Sequence, residues 1–103
     1  MTELTARTKD VVAKIFEASM APVVEELLAE ECGSNLPLYK PATPEGLERV
    51  RFAVLRISGG KEEKLLEAIA LAKRDWRDVL VWAGFANRLD AHIEWAGELL
   101  SAA

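Results

Sequence analysis

The chain has 103 residues, half of them apolar and 29% charged, which is enough for one hydrophobic core and too little for two. Its formal net charge of -4 sets the overall field against phosphate backbones, and its one cysteine, Cys32, excludes an intrachain disulfide. The polar, mixed-charge start and the lack of any apolar run near the roughly 20 residues of a membrane span lead us to expect one soluble cytoplasmic domain over 1–103.

In chain order, the first helix is expected to start near Thr5, with Val11, Val12, Ile15 and Phe16 on one face and Lys9, Asp10, Lys14 and Glu17 largely opposite. Pro22 lacks an amide donor, so this helix either kinks there or stops near Ser19 and restarts with Pro22 in its first turn. The continuation carries Val23, Val24, Leu27 and Leu28 and should end at Cys32, with Gly33 as a left-handed cap. Residues 33–44 contain three prolines and form the longest loop, expected to be pinned across the bundle by Leu36, Leu38 and Tyr39.

Thr43, Pro44 and Glu45 supply a side-chain cap, a first-turn proline and a carboxylate near the positive end of the helix dipole. With Leu47, Val50, Val54 and Ile57 recurring at helical spacing, they predict a helix from Pro44 to about Ile57. A strand through residues 52–57 fits by composition, but no second strand-like run exists to pair with it. Beyond the break at Ser58-Gly59-Gly60, a helix opens at Lys61 and carries Leu65, Leu66, Ile69 and Ala72. Asp75 is placed to cap a further helix from Trp76, and Gly84 to close it. The last helix is expected to be capped near Asn87, with Leu89, Ile93, Ala96 and Leu100 inward. The fold class is therefore all-α, a compact bundle of about five helices.

No catalytic signature accompanies this pattern, and the chain reads as a non-enzyme without an evident cofactor. Ser58-Gly59-Gly60-Lys61 lacks the earlier glycine and the hydroxyl of a phosphate-binding loop, since Leu55 and Glu62 stand there. Asp90, His92 and Glu94 are close in sequence, but on a helix His92 points roughly 160° away from the two carboxylates, so they do not predict a metal site. Asp90, Glu94 and Glu98 share a stripe that reads as a solvated face, and Cys32 has no motif bringing His92 to it as a base.

The stretch from Lys73 to Leu100 holds all three tryptophans, the only histidine and the apolar run from Val79 to Ala86. Trp76, Val79, Leu80 and Ala83 make one inward stripe, while Trp82, Val81 and Phe85 occupy much of the remainder. Burying both sets requires either a central helix or a second subunit. The leading expectation is thus a protein-protein interaction module, a homodimer whose contact surface includes Trp82, Phe85, Trp95 and Leu99. The alternative is a nucleic-acid accessory protein using Lys40, Arg49, Arg51 and Arg56, a basic surface interleaved with Phe52 and diluted by Glu45 and Glu48. A helix-turn-helix over the last two helices is disfavoured because Asp90, Glu94 and Glu98 offset Arg88 and His92.

Overall fold

A computed structural model describes residues 4–33, Leu36 and 43–101. The described residues form six α-helices and no strand: α1 (Ala6–Ile15), α2 (Ala21–Glu31), α3 (Pro44–Ser58), α4 (Glu62–Arg74), α5 (Trp76–Ala83) and α6 (Ala91–Ser101). The sixth arises at Pro22, where the chain stops and restarts rather than bending. α1 ends at Ile15, Phe16 leaves in an extended conformation, and Pro22 sits in the first turn of α2, where no amide donor is required. The carboxy-terminal cap of α2 differs from expectation. Cys32 has φ -119 and ψ 51, and Gly33 is not among the glycines of positive φ.

Helix α3 is the centre of the molecule. Every residue from Val50 to Leu55 is buried, so this helix is enclosed around its whole circumference over more than one turn. It packs on α4 and α5 most extensively, and also on α1 and α6. Its ends are chemically defined. The Thr43 hydroxyl accepts from the Gly46 amide at 3.0 Å, and Gly59 closes the helix in the left-handed conformation at φ 55.

Two contacts far apart in sequence orient α1 against this centre. At its start, the Thr5 hydroxyl donates to Glu48 Oε1 at 2.6 Å, near the start of α3. At its end, Gly60, just past α3, lies so close to α1 that a Cβ there would come within 2.9 Å of the Ile15 carbonyl oxygen. The two helices therefore run parallel, with α2 as part of the crossover between them. Val11, Val12 and Phe16 face the core as their spacing predicts, and Val24 and Leu28 of α2 join them.

The core continues through Leu65, Ala68, Ile69 and Ala72 of α4 and Val79, Leu80 and Ala83 of α5. Asp75 caps α5 by accepting from the Arg77 amide, and Gly84 ends it at φ 82. α6 starts at Ala91, later than the Asn87 cap expected from sequence, which leaves Leu89 outside the helix, and its inner face is only partly the expected one. His92 and Ala96 are buried, with Trp95, Leu99 and Leu100 packed beside them, whereas Leu89 is 80% exposed and Ile93 is half exposed. No helix among the described residues is long and apolar enough to cross a membrane.

Candidate functional site

The four residues expected to form a contact surface do not lie together on the outside. Trp82 is 52% exposed near the end of α5, beside Val81 at 65%. Phe85, by contrast, is wholly buried, and the expectation that it contributes to a surface is corrected by its position after Gly84. The left-handed turn reverses the chain, the Phe85 amide donates to the Leu80 carbonyl at 2.8 Å, and the ring enters the core. Trp95 and Leu99 are partly buried and pack against the same core.

Trp82 borders a groove of about 620 Å³ between α4 and α5, lined on the α4 side by Glu67, Ala70, Leu71, Lys73 and Arg74. Leu66 is half exposed four residues before Ala70, on the same side of α4. The surroundings are charged in both senses. Lys73 pairs with Glu31 of α2 at 2.7 Å and Glu67 with Lys64 at 3.3 Å, whereas Arg74 and Asp78 form no ion pair among the described residues.

Among the described residues, Arg49, Arg51 and Arg56 do not assemble into the expected phosphate-binding surface either. Lys40 lies outside the described residues. Arg51 is buried, and its Nε donates to the Cys32 carbonyl at 2.9 Å, which satisfies the end of α2 from inside the core. A clue was present in sequence: Arg51 is flanked by Val50, Phe52, Ala53, Val54 and Leu55, a run that leaves no solvated face. Arg49 is half-buried and donates through one guanidinium nitrogen to the carbonyls of Phe85 at 2.7 Å and Arg88 at 3.2 Å. Of the three arginines Arg56 alone is exposed, and its guanidinium carbon sits 5.3 Å from the centre of the Phe85 ring, covering it.

A cleft of about 370 Å³ lies where Arg56, Asn87, Arg88, Glu94, Trp95 and Glu98 meet. Its charges are largely turned on one another. Arg88 pairs with Asp90 at 3.3 Å and with Glu94, and these contacts hold its guanidinium strongly protonated. Asp90 and Glu94 thus engage an arginine while His92 points away from them, as the helical spacing predicts.

His92 is the feature least visible in sequence. Its ring lies edge-on to Phe52 at 5.7 Å and beside Phe85 at 6.3 Å, and only 4% of the residue is exposed. Trp95 closes the same aromatic group at 6.0 Å from Phe52 and 5.7 Å from Phe85. The Leu89 carbonyl is near enough to favour a proton on the imidazole, yet Nδ1 is buried with no partner at hydrogen-bond geometry, and so is Nε of Arg49. Burial pushes the His92 pKa below the ordinary histidine value, with Arg49 adding to that push and Glu48, Asp90 and the Leu89 carbonyl opposing it. The signal that would have found it is its helical register with Ala96 once α6 starts at Ala91.

Cys32 is wholly buried, and desolvation pushes its thiol up to about 12 despite the nearby Arg51. At neutral pH it is a protonated packing residue with no nucleophilic character. Comparison with protein-family models, with curated proteins and with solved structures finds no match for this chain.

Proposed function

We propose that this protein is a non-enzymatic interaction module that pairs with a second copy of itself through the α4–α5 face. The observation that supports the reading is the half-exposed Trp82 indole with Val81 beside it, bordering a groove whose lining includes Ala70 and Leu71. An exposed tryptophan at an apolar groove offers a large area to desolvate together with an indole N–H that keeps its hydrogen-bonding at the edge. The apolar surplus read from α5 thus has one half buried against α3 and α4 and the other half facing outward.

The charges favour a second copy as the occupant. Arg74 borders the groove, and Asp78 stands one turn before Trp82 on α5; neither has an ion-pair partner among the described residues. In a two-fold arrangement over the tryptophans, each copy presents a cation and an anion to the opposite charges of the other, which makes the face self-complementary. Phe85 and Trp95 then act from behind, as core residues that hold the α5 end in place.

Sedimentation velocity across a micromolar concentration series tests this reading. The expected result is a concentration-dependent dimer that W82A abolishes, that R74D weakens, and that R74D combined with D78R restores. A wild-type chain that stays monomeric throughout the series removes the proposal.

A further inference from the structure

We propose that His92 is an acid-sensitive latch, whose protonation loosens α6 and the preceding turn from α3 and uncovers the aromatic group formed by Phe52, Phe85 and Trp95. The geometry is that of a titratable ring used as a core residue. The imidazole is 4% exposed, two of its neighbours are phenylalanine rings, and its Nδ1 makes no hydrogen bond. A neutral imidazole fits this site as a flat aromatic. An imidazolium requires a partner for each N–H; the Leu89 carbonyl favours the protonated ring, but nothing meets Nδ1 at hydrogen-bond geometry.

The charges around the ring come from each element against which α6 rests. From α3, Glu48 attracts a proton to the ring and Arg49 repels it; from the turn before α6, Asp90 attracts it. Both attracting groups are engaged elsewhere: Glu48 accepts from Thr5, and Asp90 pairs with Arg88. From α1, the cation in contact with α6 is Arg7, whose guanidinium lies beside Gly97, five residues further along. Arg56 stands over the Phe85 ring, and Arg88 and Glu94 pair with each other at the rim.

Arg49 couples the ring to the turn. Its guanidinium ties the carbonyls of Phe85 and Arg88 to α3, so it fixes the segment that delivers α6, and its charge is also the one that disfavours a proton on His92. Desolvation outweighs the groups that favour a proton here, so an imidazolium gains by reaching water, and the direct route is separation of α6 from α3. The undocked form therefore binds the proton more readily than the docked form. Docking is unaffected by pH above the ordinary histidine value of about 6.5, weakens as pH falls below it, and is weakest below the lowered pKa of the docked state.

The chain has one histidine, so its imidazole carbon-bound proton signals are unambiguous in NMR. The experiment follows these signals together with backbone amide exchange, corrected for its intrinsic pH dependence, from about pH 7.5 down to about pH 5, above the usual carboxylate range. The expected result is that exchange in 91–101 accelerates relative to α3, by up to about tenfold for each unit by which the docked pKa is held down. H92F, which keeps a flat ring and removes the titration, is expected to show no such acceleration. A His92 that titrates at the ordinary value with α6 still protected overturns the latch, and so does an H92F chain with the same acid response. If H92F does not fold, the wild-type titration and exchange decide the question alone. Neither readout depends on the association proposed for Trp82, which stands at a different face.

Discussion

Gly59 and Gly60 show how differently two adjacent residues of one type can be constrained. Both have positive φ, at 55 and 84, but nothing lies within 4 Å of a Cβ at Gly59, while at Gly60 the Ile15 carbonyl oxygen would lie 2.9 Å away. Gly59→Ala is expected to cost about 1–2 kcal/mol, the ordinary left-handed penalty. Gly60→Ala adds a backbone collision to that penalty and is expected to lower the urea midpoint distinctly further. Equal losses at the two sites would show that α1 does not lie against this turn. Sequence reading identified the pair as a break between helices, but not which glycine is pressed against α1, because that depends on a helix more than 40 residues earlier.

Arg51 and His92 teach the same lesson about polar residues. Reading Arg51 as a surface cation followed from its residue type, while its apolar neighbours on both sides pointed the other way. In the fold its charge is desolvated, which lowers its pKa from the ordinary arginine value, and its Nε serves a carbonyl at the end of α2.

Among the elements, α3 was legible from sequence almost to the residue, because its signals are local: a hydroxyl cap, a first-turn proline, an early glutamate and apolar residues at helical spacing. Thr43→Ala removes the oxygen that accepts from the Gly46 amide and is expected to cost about 1 kcal/mol, measured as a shift of the denaturation midpoint with unchanged slope. A loss within about 0.3 kcal/mol of zero would show that the cap is dispensable. The start of α6 was not legible in this way. Asn87 is a plausible cap by residue type, but Arg49 of α3 holds the Phe85 and Arg88 carbonyls, and the chain first turns helical at Ala91. A tertiary hydrogen bond overrides local preference there; Ala96 and Leu100 face the core as their spacing predicts, but His92 takes the inward place expected for Ile93, and Leu89 stays outside the helix.

At the scale of the molecule, the question posed by the sequence was whether the apolar helices near the carboxy terminus need a central position or a second subunit. The central position belongs to α3, and α5 packs one face on it while leaving Val81 and Trp82 outside. The aromatic residues should therefore separate by stability. Phe52→Ala and Phe85→Ala are each expected to cost about 3–5 kcal/mol, since both rings are wholly buried, whereas Trp82→Ala should cost much less in the monomer. Urea denaturation at submicromolar concentration checks this ordering, and a Trp82→Ala loss as large as that of Phe52→Ala would place the indole in the core. What could not be read from sequence, the exposed side of α5, follows from which neighbour each side meets, and apolar spacing alone does not specify neighbours.

The parallel alignment of α1 and α3 has a bearing on how the protein is made. The bond from Thr5 to Glu48 spans 43 positions, so α1, which leaves the ribosome before α3, has no central surface to rest on until α3 has followed it. Order of synthesis and order of assembly therefore diverge, and α1 is among the segments a nascent chain must keep soluble while it waits.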